Sequence, residues 1–575
     1  MDIAAFEHDR NFVLEGLRRG EVDFLEPISQ ALEADLFRQL VGRDILARLA
    51  ESYPTPRKKE EVPLWIYLAS QLTLKLHGAA YHALPYVLRS GGLITALGPQ
   101  VGRQAVHPET QDVTLSCSGF NHKNLYDRQT PCDQDFVRKL ATSTDVDQLL
   151  AWFNREVPRC LRSLKLFDPE GLFIGDASYL FVPDNEHYEK SVVLLFDEHN
   201  HPVDPAQHAG DRHCQWRRCY KIVTLLHINR AQNLFLTVAA RVLPGNQHEC
   251  PVLYEMVEQF VQALDPGRMK ILIVDRGLLD GAKMAQLKRA HNIDTVVPLR
   301  KNMVLYQDVL GLATQPDFPW EVYPAPPPLP PPPPPLPSNP VLARREQKRQ
   351  QTLARRKQGT EKEKESKSQD PPNPPSQNSL ATCASPASPS AQPRTEIGLV
   401  RDLTTWTECT VPLSVVLSRE TDAEGETRYW ALATTSATRS GPEIRSTYAL
   451  RPAIEERHRQ YKCVWDLAHV TSCQFSLVVN HVLYLLLAYT LLQAHLLLRH
   501  RQEMNPRTRQ RQFDLLRPAL DVIAVYYQQR FCCLAPTEFA VLLLELSEEA
   551  RAKLLPKMKA LHRDLYHLLQ NARPP

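Results

Sequence analysis

Two apolar runs in this chain each end in an aspartate: Phe173-Ile174-Gly175-Asp176 and Ile271-Leu272-Ile273-Val274-Asp275. Apolar runs this short, rich in Ile and Val, read as buried strands rather than helices. A chain that buries two such strands must form a sheet, and each strand delivers a carboxylate at its end.

A third stretch supplies the partners. Read as a helix at about 100° per residue, Tyr448, Arg451, Glu455 and Lys462 fall within an arc of roughly 60°. A carboxylate that holds a metal beside a phosphate calls for cations on the same face. The alternative for this segment alone is a basic, solvated helix face. Pro452 biases Arg451 away from the α region and is best placed in a first helical turn. The helix is therefore expected to start near 451, with Tyr448 on the approach to it. Glu456 rivals Glu455 as the acid, but it points about 100° away.

The spacing Y-x2-R-x3-E-x6-K, met by Tyr448, Arg451, Glu455 and Lys462, resembles the YREK signature of DDE transposases of bacterial insertion sequences, the IS-four group and its relatives. The resemblance runs from about 170 to 300 and from about 425 to 490. It implies an α/β fold with an RNase H-like catalytic core, and Asp176, Asp275 and Glu455 as the catalytic, metal-binding acids. It further implies two Mg²⁺ ions, for which Mn²⁺ can substitute, and Tyr448, Arg451 and Lys462 on DNA phosphates. The implied activity is cut-and-paste transposition, with cleavage and strand transfer at the terminal inverted repeats of an element. The implied partners are that double-stranded DNA, the target DNA and a second copy of the chain. Two other readings stay open: a catalytically inactive DNA-binding derivative, and an RNase H-like nuclease without strand transfer.

At 575 residues the chain is long enough for several domains. Residues 1–150 read as a helical region expected to grip DNA ends. Residues 165–302 read as the first part of the core and 446–500 as its last part. A β-rich insertion is expected over 303–324 and 396–445, and a C-terminal helical region over 511–575. Residues 325–395 read as a disordered linker, with polyproline stretches followed by a block carrying six excess positive charges. The net charge is only +3, so any DNA-binding surface must be local. One basic link carries Arg499, Arg501, Arg507, Arg509 and Arg511. The first residues lack the basic and apolar segments of a secretory leader, which leads to an expectation of a cytoplasmic, nucleoid-associated protein. The apolar run from Ser476 to Leu498 contains Asn480, His481, Gln493 and His495. It is read as a buried helix, without a membrane partner.

Three further features are read as structural. His187, His199, His201, His208 and His213, with Cys214 and Cys219, match zinc-ligand spacings only loosely and are expected to form a polar loop. His248 and Glu249 are expected to close a strand-to-helix turn. Trp406 and Trp430 are read as core residues rather than base-stacking platforms.

Overall fold

The structure is a computed structural model and describes residues 10–28, 31–59, 62–84, 103–106, 113–116, 133–208, 210–264, 267–323, 394–422, 424–499, 522–528, 530–534 and 536–558. The expected disordered linker lies outside the described residues except for Arg394 and Thr395, which open a strand; most of the Arg-rich link lies outside them too.

The first segment carries α1 (Arg10–Arg18), β1 (Phe24–Ile28), α2 (Ala31–Gly42), α3 (Ile45–Glu51) and α4 (Leu64–His77). A short pair follows, β2 (Arg103–Val106) and β3 (Val113–Ser116), then α5 (Gln134–Ser143) and α6 (Val146–Ser163). Asp133 and Asp145 start the last two helices by accepting hydrogen bonds from Asp135 N and Gln148 N.

The mixed α/β body comprises β4 (Leu172–Phe181), β5 (Val192–Phe196), β6 (Gln215–Asn229), β7 (Leu234–Pro244), α7 (Glu249–Ala263), β8 (Ile271–Val274), α8 (Gly281–His291), β9 (Asp294–Pro298) and α9 (Val304–Leu312). After β10 (Trp320–Val322) come β11 (Arg394–Leu403), β12 (Leu413–Thr421) and β13 (Thr427–Thr434). The chain continues through α10 (Gly441–Tyr448), α11 (Pro452–Cys463) and α12 (Phe475–Leu498). It closes with β14 (Val522–Tyr527), β15 (Arg530–Leu534), α13 (Pro536–Glu545) and α14 (Glu548–Met558).

Two compact units result. The larger comprises Met1–Phe318, Leu399–Leu417 and Trp430–Pro575. Its main sheet runs β13-β9-β8-β4-β6, with β5 and β7 both on the far edge of β6. β4 is the hinge of this topology. It pairs antiparallel with β6, Asp176 facing Thr224, and parallel with β8, Gly175 facing Val274. All four residues of β8 are buried, the uninterrupted apolar character of a parallel strand covered on both faces. Leu253 of α7 packs directly over Gly175; a Cβ there would stand 2.5 Å from Leu253 Cδ2. The glycine thus brings α7 onto the sheet one residue before Asp176.

Helix α12 is long and apolar enough to cross a membrane by length and composition, and 89% of its apolar window is buried within the protein. Among its polar groups, Asn480 accepts from Tyr81 OH at 3.2 Å and donates to Tyr67 OH at 3.3 Å.

The smaller unit, Pro319–Gly398 with Ser418–Tyr429, holds β10, the first half of β11 and the adjoining ends of β12 and β13. Trp320 pairs with Gly398, and the Arg419 guanidinium lies 4.1 Å over the Trp320 ring.

Three regions differ from the sequence expectation. The C-terminal region is not wholly helical: β14 and β15 form a hairpin, and β1 from the N-terminal region adds to it. The residues Val522-Ile523-Ala524-Val525-Tyr526-Tyr527 have the β-branched and aromatic content of a strand, and Gln528 takes the left-handed turn conformation, φ 44°. A separate core forms around this sheet, including Val13, Leu17, Val525, Phe539 and Leu554. The N-terminal region likewise holds strands, β1 to β3, among its helices. Within 303–324, expected to be β-rich, α9 occupies Val304–Leu312, because Leu305, Tyr306 and Val309 bury one helical stripe.

Candidate active site

The β4–β8 pairing fixes the first two acids. Asp176 and Asp275 each follow the last residue pair of two neighbouring parallel strands, Gly175 and Val274. The Asp176 side chain is only 13% exposed; its Oδ1 accepts from Ala177 N at 2.9 Å. Asp275 precedes a single 3₁₀ turn, Arg276–Leu278. Its carbonyl accepts from Leu278 N at 3.0 Å, and its carboxylate caps nothing.

The third acid comes from α11. A capping box between Ser440 and Glu443 starts α10, which ends at Tyr448. Arg451 N donates to Tyr448 O at 2.9 Å, and Pro452 opens α11. Tyr448 therefore sits at the end of the preceding helix, not on one face with Glu455 and Lys462. Arg451 is helical, φ −52° and ψ −41°, contrary to the bias that a following proline imposes. Backbone bonds from Leu450, Arg451 and Ala453 to carbonyls three residues back, and the ion pairs of its side chain, hold it there. The buried side of α11 is fastened by Tyr461, bonded to Thr237 at 2.7 Å, and by Arg457, which donates to Tyr489 OH at 3.0 Å. Glu455 is left half-exposed on the opposite side.

The acids converge on one guanidinium. Arg451 Nη2 lies 3.7 Å from Asp176 Oδ2 and 3.4 Å from Asp275 Oδ2, and Nη1 is ion-paired with Glu455 Oε1. Glu456, the rival acid, instead takes two bonds from Arg459, at 2.6 and 2.7 Å, and one from Gln460. Lys462 reaches the same neighbourhood from one helical stretch further on. Its Nζ donates to Ser178 Oγ at 2.6 Å, two residues beyond Asp176 and so on the same strand face.

Electrostatics follow the burial. The Asp176 carboxyl is pushed up to about 6, by burial first; Arg451 and the Ala177 N–H oppose this, while Asp275 and Glu455 add to it. For Arg451 burial works against the charge, and the three carboxylates more than offset it, so its pKa is raised. Burial lowers Lys462 to about 8. Burial and then the nearby Asp275 carboxylate raise Tyr448. The Tyr448 ring is 6.2 Å from that of Trp430, which also carries the Arg445 guanidinium at 4.2 Å. Neither Trp430 nor Trp406 is fully buried.

Two residues belong to the site that motif spacing does not reveal. His458, one turn after Glu455, places Nδ1 3.9 Å from Asp176 Oδ2. Its Nε2 is hydrogen-bonded to Thr224 Oγ1 at 2.8 Å, and Thr224 is the residue that faces Asp176 across the β4–β6 ladder. Burial, with Lys462 and Arg451 close by, lowers His458 to about 3, so it is a neutral spacer. His248 and Glu249 have the structural roles expected of them. His248 caps α7, and Glu249 pairs with the buried Lys221 at 2.6 Å.

The donor set suits a hard divalent cation: three carboxylates from three chain segments, already disposed around one positive group. A family profile described as Transposase DDE domain matches residues 188–491. That span includes Asp275, Tyr448, Arg451, Glu455 and Lys462 and begins after Asp176, which the sheet register brings back to them. No curated protein matches the chain. The matched span is more than half of the chain and contains the segments that bring Asp275 and Glu455 to Arg451: the chain belongs to the transposase DDE domain family.

Proposed function

We propose that this transposase performs cut-and-paste transposition of an insertion sequence and belongs to the YREK-signature group. Asp176, Asp275 and Glu455 are its catalytic acids and hold two Mg²⁺ ions, with Mn²⁺ as a substitute. The observation that carries this reading is a single guanidinium, Arg451, in contact with all three acids. The strand order supports an RNase H-like core: β7, β6 and β4 antiparallel in sequence, then β8 and β9 parallel to β4.

When bound, two such ions activate an attacking oxygen and stabilise the departing one at a phosphodiester. The chain's own residues do the placing. Asp176 is held by the Ala177 N–H and spaced by His458; Asp275 stands at the strand mouth; Glu455 is presented by a helix fastened on its far side. Arg451 and Lys462 grip DNA phosphates beside the scissile bond, through a planar fork and a point charge respectively. Tyr448 adds a phenol next to Asp275. Arg451 then has two successive partners, the acids in the resting chain and the phosphate in the complex. The attack is by water in cleavage and by the freed 3′-hydroxyl in strand transfer. In both, the P–O bond to the leaving 3′-oxygen breaks as the new one forms. Bringing two element ends together calls for a second copy of the chain on the DNA.

The test is Asp275→Asn on DNA carrying the element's terminal repeats. Cleavage should vanish while end binding survives. Cleavage that persists rules out the acid assignment. Wild-type protein that binds the ends but never cuts them, with Mg²⁺ or Mn²⁺, points instead to an inactive DNA-binding derivative. Cutting without joining points to a nuclease.

A further inference from the structure

A second cluster of metal-type donors lies in the loop between β5 and β6. Ligand atoms of His208, Asp211 and Cys214 all lie within 4.8 Å of one another. We infer that this loop binds one zinc ion on His208, Asp211 and Cys214, a site separate from the three acids and independent of the proposed transposition chemistry.

The backbone accounts for the convergence. A one-turn helix, Pro205–His208, leads into the cluster. Asp211 N donates to His208 O at 2.9 Å, and Cys214 N donates to Asp211 O at 3.0 Å. Two consecutive i to i+3 turns place side chains three apart on the same side. The spacing H-x2-D-x2-C, loose as a sequence pattern, thereby becomes a three-pronged set. Asp211 is also oriented: its Oδ1 accepts from His213 N at 2.9 Å, which fixes the carboxylate within the turn. His208 and Cys214 are half-buried while Asp211 is exposed, so the cluster opens to solvent on one side.

The donor chemistry selects the ion. Sulfur and imidazole disfavour Mg²⁺ and favour zinc, which takes nitrogen, sulfur and carboxylate ligands in a tetrahedron. Three protein ligands leave the fourth place to water. With a neutral His208, an ionised Asp211 and a Cys214 thiolate, a doubly charged ion makes the group neutral overall. Binding releases the thiol proton to solvent.

The position gives the site a task. Cys214 immediately precedes Gln215, the first residue of β6, and β6 carries Thr224 to its bond with His458 beside Asp176. Loop strands are already tied at the other end, where Asp197 N donates to His201 O at 3.0 Å and Val203 N to Leu195 O at 2.9 Å. A zinc ion at 208–214 fastens the remaining end and fixes where β6 begins.

The experiment uses the full chain, stripped by chelation and titrated with cobalt(II), with zinc content measured on the untreated protein. The expected result is about one zinc per chain and a cobalt–thiolate absorption band that Cys214→Ser abolishes. His208→Ala should weaken cobalt binding roughly tenfold or more, and Asp275→Asn should leave the band intact. Zinc should also slow protease cleavage in the 197–214 loop of the wild type and not of Cys214→Ser. Circular dichroism of each variant establishes that it is folded. The assignment is overturned if the wild type shows no thiolate band, if the band survives Cys214→Ser, or if Asp275→Asn removes it.

Discussion

Arg451 and Asp275 face each other at 3.4 Å, Nη2 to Oδ2, although one opens a helix and the other ends a strand far earlier in the chain. The same guanidinium touches Asp176 and Glu455, so the positive charge sits at the meeting point of the acids. Lysine keeps the charge but not the planar fork that spans three carboxylates. Arg451→Lys is therefore expected to lower cleavage roughly tenfold or more. Single-turnover cutting of terminal-repeat DNA measures this; a rate equal to wild type would show that the fork is dispensable.

Glu455 and Glu456 are adjacent in sequence and separated in role. Glu456 is engaged by Arg459 and Gln460, which hold its carboxyl low, at about 2. Glu456→Gln is expected to cost less than about 1 kcal/mol of stability and to leave cleavage in place. Glu455→Gln is expected to abolish cleavage without loss of fold. Denaturant unfolding and cleavage assays on the two variants distinguish them, and a reversed pattern would move the third acid to Glu456.

Lys462 contacts Ser178 beside Asp176 and is proposed to meet a phosphate. Removing it should lessen the salt dependence of DNA binding by about one unit of log–log slope. Binding isotherms of Lys462→Ala at several salt concentrations test this. An unchanged slope would confine Lys462 to its contact with Ser178.

Much of this site was legible in the sequence, and the reasons are local. Asp176 and Asp275 stand out because each ends an apolar run. Glu455 follows from its spacing to Tyr448, Arg451 and Lys462. What stayed hidden depends on contacts between distant segments. His458 gains its place only because β6 pairs with β4 and sets Thr224 opposite Asp176. The terminal sheet needs β1 and β14, which come from opposite ends of the chain. Pro452 made the helix start near 451 legible, with Tyr448 on the approach to it, but not that Tyr448 ends a helix of its own. Periodicity alone also could not distinguish α9 from the strands expected over 303–324, since a nine-residue apolar segment satisfies both.

Gly175 makes a packing prediction. Gly175→Ala forces Leu253 away from β4 and should cost about 1–3 kcal/mol. Leu253→Ala in the same chain should recover part of that loss, measured as a coupling in denaturant unfolding. Strict additivity would mean that the Leu253 contact does not limit residue 175.

His227 sets an acid limit on stability. It is wholly buried, bonded to the Leu172 carbonyl at 3.1 Å and accepting from Asp168 N at 3.0 Å, and burial lowers it to about 4. The folded chain thus resists a proton that the unfolded chain accepts near 6.5. Its contribution is present above that value and is lost as pH falls towards 4, about 3 kcal/mol in all. His227→Gln should flatten that part of the stability–pH curve. Equal slopes for the two proteins between pH 6.5 and 4 would contradict this.

The most direct test of the shared acid site is anomalous diffraction from manganese in crystals of the full chain on element-end DNA. The expected map has manganese at about 2.0–2.2 Å from oxygens of Asp176, Asp275 and Glu455, with the Arg451 guanidinium moved onto a DNA phosphate. Manganese bound elsewhere in a complex that still cuts its DNA would contradict it.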